Sequence, residues 1–341
     1  MRLITILLSF TLLLAPRPAL ATDSPVEGRV VNVTDDLVQV KLENDEVVTA
    51  SHTYSSQSIS LSPQIGDAVF IASNTSPDPI APPYIVTDFS RTRPLILLTI
   101  IFLVVTLTIT RFWGLKSFIG MIFSFYLIFK MLLPQIMAGQ DPVLVTIVTS
   151  LFIIPATFYL SHGINKKTNS AILGTIIALI ITGLLATFFV NLAHLSGLAS
   201  EEAGFLFAFM GETINIRGLL LAGIILGTLG VLDDVTISQA AIVTELKDSN
   251  PKLTFSDLYT RAMRVGHDHI SSMVNTLVLV YTGASLPLLL LFLDTSQPLN
   301  VVLSSPIIAE EIVRTLVGSI GLVLAVPLTT IITAHFVARH R

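Results

Sequence analysis

The residues of this chain that could do chemistry stand where a membrane would leave them little water. Asp233 and Asp234 are neighbours in an otherwise apolar run that begins at Arg217. The stretch between Arg217 and Asp233 holds fifteen uncharged residues. At helical rise it covers about 22 Å, short of the roughly 30 Å of a bilayer's hydrocarbon core. A helix crossing that core must run on past both acids, so one or both carboxyls fall in its inner half. An acid there has to be paired, hydrated or protonated. One kept from water holds its proton more tightly, and so can take it up and release it near neutral pH. Gly223, Gly227, Gly230, Asp234 and Ser238 share one helical face, with Gly223 and Gly227 spaced as a GxxxG pair. That face predicts a packing groove in which a second helix approaches closely beside Asp234. Asp233 points about 100° away, so the two acids need not share one proton. The expectation is proton or cation coupling, or a substrate pathway, at Asp234 ahead of Asp233. The alternative is a hydrated helix end at the lipid headgroups.

Other polar residues are candidates to support that pair. Asp268, Ser271, Ser272 and Asn275 share a helical face and could bond to the acid-bearing helix. His267 and His269 diverge on a helix and could not jointly ligate a metal, so no metal is expected. Lys130 lies in an apolar run, where it snorkels or pairs with an outer acid. Arg217 could pair with Glu212, and Arg314 with Glu310 or Glu311 one turn back. The reading calls for no catalytic residue and no cofactor.

These residues need a scaffold of helices. The chain has 341 residues, 52% hydrophobic and only 12% charged, against about a quarter charged in globular domains. Apolar blocks at 94–110, 117–136, 143–161, 171–193, 217–243, 272–293 and 312–336 predict about seven transmembrane helices. Phe205 to Met210 is apolar but too short to span, and reads as an interfacial or re-entrant helix. Residues 1–21 have the layout of a secretory signal peptide, with Arg2, the apolar run Leu3 to Leu14, and Ala19-Leu20-Ala21. Residues 22–92 alternate apolar and polar, as in Leu37-Val38-Gln39-Val40-Lys41-Leu42. They predict five or six short strands in a small exported OB-like or barrel-like domain. Residues 93–341 form the membrane domain. With the exported domain outside, the inner loops collect Arg111, Lys116, Lys166, Lys167, Lys247, Lys252, Arg261 and Arg264. The outer loops carry Asp141, Glu201, Glu202, Glu212 and Asp294 instead, with Arg91 and Arg93 as exceptions. The positive-inside rule thus agrees with the leader, leaving the C-terminus in the cytoplasm. No basic region suits nucleic acid, and the absence of cysteine excludes disulfides and thiolate chemistry.

The stretches RGLLLAGIILGTLGVLDDVTISQA (217–240), GHDHISSMVNTLVLVYTGASLPLLLL (266–291) and EIVRTLVGSIGLVLAVPLTT (311–330) resemble the YibE/F-like family of bacterial membrane proteins. That resemblance implies a multi-pass protein of the bacterial inner membrane with an extracytoplasmic N-terminal region, but no defined mechanism. The partners expected are the bilayer, an ion or small-molecule substrate, and an envelope protein or a second copy. The leading function is a transporter or translocation-associated protein. Its rivals are a non-transporting envelope scaffold and an intramembrane aspartyl hydrolase. Hydrolysis would need two facing carboxyls, and Asp268 is the one candidate opposite the pair.

Overall fold

The computed structural model describes residues 25–34, 36–52, 62–74, 82–293 and 298–338. The leader expected over residues 1–21 lies outside them. Two compact units divide the chain, one ending at Arg111 and one beginning at Phe112.

The first unit holds five strands, β1 (Val26–Val33), β2 (Leu37–Leu42), β3 (Val47–Ser51), β4 (Ala68–Ser73) and β5 (Tyr84–Phe89). They close a barrel in the order β1-β2-β3-β5-β4. The β3–β5 seam is parallel and the other pairs are antiparallel. The alternation seen in sequence sets this geometry: Val38 and Val40 point inward while Leu37, Gln39 and Lys41 stay exposed. Val30, Val48, Ala50, Val69, Ile71 and Val86 complete the core, each larger side chain contributing about 1.5–3 kcal/mol of burial. After the barrel comes α1 (Thr92–Thr110). The Arg91 guanidinium donates to both carboxylate oxygens of Asp88, at 2.7 and 2.9 Å. These bonds hold the Asp88 carboxyl below the usual carboxylate range. Arg91, an exception to the basic-inside pattern, therefore has its charge offset locally.

The second unit is helical. It runs through α2 (Phe112–Leu127), a π-helical turn (Ile128–Leu132), α3 (Leu133–Met137), α4 (Pro142–His162), α5 (Lys166–Leu192), α6 (Glu201–Met210) and α7 (Ile216–Ser249). It ends with α8 (Phe255–Ala284), α9 (Leu286–Leu293), α10 (Leu299–Leu303) and α11 (Pro306–Ala338). Counting α1, six described helices are long and apolar enough to cross a membrane. The seventh expected span, 272–293, is not one straight helix: α8 and α9 meet at a 68° bend. Pro287 explains the break, because it has no N–H for the Gly283 carbonyl and its ring crowds that position. The short apolar segment expected near Phe205 is α6, ten residues long with Phe205 and Phe209 exposed.

The glycine packing lies elsewhere than expected. In the bundle, α11 lies against α5, α7 and α8, and α7 also lies against α5 and α4. A Cβ at Gly174 of α5 would fall on Thr329 of α11, and one at Gly321 of α11 on Thr182 of α5. Gly318 of α11 faces Thr228 of α7. By contrast, Gly223, Gly227, Gly230 and Ser238 are exposed. Nothing approaches a Cβ at Gly223 or Gly230 within 4 Å, and only the Tyr281 hydroxyl, at 3.8 Å, comes near one at Gly227. The reason is that α7 gives α5 and α11 its other face, of Ile225, Thr228, Leu232, Thr236 and Gln239, all buried. Gly174→Ala and Gly321→Ala should therefore lower the melting temperature of the purified protein. Gly223→Ala and Gly230→Ala should leave it unchanged or raise it, since alanine is the better helix former by up to about 1 kcal/mol. The reverse ranking in thermal melts would contradict this packing.

Candidate functional site

The acid pair splits into a sheltered member and an open one. Asp233 is half-buried and Asp234 exposed. The Oδ1 atom of Asp233 is out of contact with solvent and has no hydrogen-bond partner among the described residues. Its carboxyl lies beside Thr157 of α4, within hydrogen-bonding reach. The Thr157 hydroxyl, however, already points its one proton at the carbonyls of Ile153 and Ile154, at 2.9 and 3.1 Å. Only its lone pairs are then left toward Asp233. Thr157 stands five residues before the end of α4, about 7–8 Å along the axis. Asp234 faces the other way, within electrostatic reach of His162, the last residue of α4, which also feels Lys167. The sequence reading ranked Asp234 first; the geometry favours Asp233, because helix packing shelters its side of α7. His162 was not singled out, since nothing in sequence marks α4's end as facing Asp234.

A row of hydroxyls leads away from Asp233 along α4. Thr146, Ser150 and Thr157 are spaced by four and seven residues and share one helical face. Thr146 and Ser150 are fully buried, and among the described residues neither Thr146 Oγ1 nor Ser150 Oγ has a hydrogen-bond partner. Thr149, Thr175 and Thr330 instead each donate to the carbonyl four residues back, while Ser319 and Thr329 of α11 are also buried without a partner among the described residues. An unsatisfied buried hydroxyl costs on the order of 1–3 kcal/mol, so Thr146 and Ser150 carry hydrogen-bonding capacity that the described residues leave unused.

The row ends in a cavity of about 340 Å³ at the end of the unit where α7 and α11 begin. Its walls include Leu132, Thr146, Leu219, Gly223, Glu310 and Arg314. Glu310 is buried, with 6% of its surface exposed. Its Oε1 accepts from the Gly197 N–H at 3.0 Å. Gly197 is fixed there by a φ of +81°, and a Cβ on it would lie 2.7 Å from the Ile216 carbonyl oxygen. Arg314 and Glu311 form the expected pair one turn apart, at 3.7 Å. The Arg314 Nε is buried without a partner. Sequence reasoning took Glu310 as part of a helix-entry pair; only the fold of the 193–200 loop reveals it as a buried carboxyl.

The remaining candidates do not gather at either place. Asp268 and Asn275 are exposed on α8, and no hydrogen bond joins their face to α7 among the described residues. The two helices meet instead through Gln239, whose Nε2 donates to the Ala262 carbonyl at 3.2 Å and to Thr330 Oγ1 at 2.8 Å. Lys130 is exposed within the π-helical turn and forms no ion pair among the described residues. Arg217 Nη2 donates to the Val190 carbonyl at 3.0 Å, and the Glu212 side chain is outside the described set.

The model of the family described as YibE/F-like protein matches residues 98–339, which hold the acid pair, the hydroxyl row and the cavity. The chain belongs to the YibE/F-like family. No curated protein and no solved structure matches it. The barrel strands, ending at Phe89, lie before the YibE/F-like match.

The role of Gly197 can be separated from simple backbone strain. Gly163 also has a positive φ, +74°, but nothing within 4 Å of its Cβ position. Gly163→Ala should cost only the strain of that conformation, on the order of 1–3 kcal/mol. Gly197→Ala should lower the melting temperature further, through the collision with Ile216. Equal melting temperatures for the two variants would show that the loop does not depend on this close approach.

Proposed function

We propose that this YibE/F-like protein is a multi-pass transporter of the bacterial inner membrane that couples solute passage to proton transfer at Asp233. Its barrel lies outside the cytoplasm and its C-terminus inside. The observation that carries this reading is the row of Thr146, Ser150 and Thr157, which links the Glu310 cavity to a sheltered carboxyl with an unpartnered oxygen. Ionisable groups at such depth are rare and face pathways. Thr146 and Thr157 are eleven residues apart, about 16 Å along α4. The row therefore covers much of the distance that a solute or proton must cross. Asp234, His162 and Lys167 form the inner mouth, where a proton leaving Asp233 meets water. Hydrolysis is disfavoured, because Asp234 diverges from Asp233 on the helix and, among the described residues, no hydrogen bond joins the exposed Asp268 to the acid-bearing helix.

Proteoliposomes with a trapped pH-sensitive dye test this. Under an imposed membrane potential, the native protein should admit protons faster than protein-free vesicles. Asp233→Asn should fall to the protein-free rate, while Asp234→Asn keeps part of the flux. Native flux from Asp233→Asn would overturn the proposal.

A further inference from the structure

The cavity around Glu310 has a composition that selects a ligand. Two carboxylates, Glu310 and Glu311, and one guanidinium, Arg314, face it or rim it, leaving a formal excess of one negative charge. The rest of the wall is mainly aliphatic, including Leu132, Leu219 and Leu226. Glu310 is oriented by a backbone N–H donor on the loop and not by a close ion pair with Arg314. Its carboxyl is thus held in place by the loop, with the Arg314 guanidinium within electrostatic reach. Thr146 adds a fully buried hydroxyl without a partner, able to accept a hydrogen bond from an N–H donor. Such a cavity, apolar with a few convergent polar groups, is the usual form of a small-molecule site.

We propose that this cavity binds a small organic amine in its ammonium form, with the charged head between Glu310 and Thr146 and the hydrocarbon body against the leucines. This rests on the transport reading above and names the class of solute it would carry. The ammonium supplies the positive charge that the wall lacks and the donors that Thr146 and Glu310 can accept. A carboxylate of the same size would meet two like charges, and an alcohol would leave the buried charge unmatched. The ammonium group could equally come from a free amine or from an aminophospholipid headgroup.

The test uses the full chain in phosphatidylcholine nanodiscs, with hexylammonium, hexanol and hexanoate as probes of equal length. Affinity is read by ligand-observed NMR and by thermal shift. Hexylammonium should bind in preference to the other two. Glu310→Gln should weaken it about tenfold or more, the range expected when a desolvated charge partner is removed. Thr146→Val, which deletes a hydroxyl with no partner in the fold, should leave the melting temperature unchanged or raised while weakening the amine several-fold. That variant keeps the test valid should Glu310→Gln fail to fold. Competition by added phosphatidylethanolamine would support the amine site and assign its source to the bilayer. Equal binding of all three probes, preference for hexanoate, or native affinity in both variants would overturn the proposal. Binding is measured at equilibrium without a gradient, so its failure would leave the proton chemistry of Asp233 untouched. Loss of proton flux would likewise leave amine binding intact.

Discussion

The face that α7 gives to α5 and α11 decides where its acids go. Thr236 shares a hydrogen bond with Thr175 at 2.7 Å, and Gln239 donates to Thr330 at 2.8 Å. Gly174 and Gly321 let α5 and α11 close to backbone distance behind them. Once that face is committed, helical geometry turns Gly223, Gly227, Gly230 and Asp234 outward and leaves Asp233 on the flank toward α4. A different choice of buried face would expose Asp233 and shelter Asp234. The setting of the pair is therefore a consequence of how the opposite face of their own helix packs on α5 and α11, which contain neither acid.

Hydropathy and alternation made the architecture legible. Period-two alternation marked the strands around Val38 and Val40, and apolar length marked the six long helices. The limits were physical. The apolar length of 272–293 marked a candidate seventh span, but not the 68° bend that Pro287 introduces within it. The glycine row of α7 looked like a packing groove because sequence records which residues share a face, but not which face meets a neighbour. Gly174 and Gly321, where the close approach occurs, carry no GxxxG signature.

The site was legible in part for the same reason. Depth in an apolar run pointed to Asp233 and Asp234, but their ranking depended on tertiary packing. Glu310 was hidden because an acid four residues before an arginine reads as a surface pair. Its burial depends on the Gly197 turn, more than a hundred residues earlier in the chain. Thr146 and Ser150 could not be told from other core hydroxyls until their missing partners were visible. What distinguishes Thr146 and Ser150 from most helix hydroxyls is that, among the described residues, they do not bond back to their own helix as Thr157 does.

The account rests on Asp233 being sheltered enough to carry a proton. Infrared difference spectroscopy of the reconstituted protein, titrated with pH, tests this most directly. The native protein should show a protonated-carboxyl band near neutral pH that is abolished by Asp233→Asn and retained by Asp234→Asn. A carboxylate at Asp233 that titrates like a free acid in water, with no neutral-pH band lost in Asp233→Asn, would contradict it.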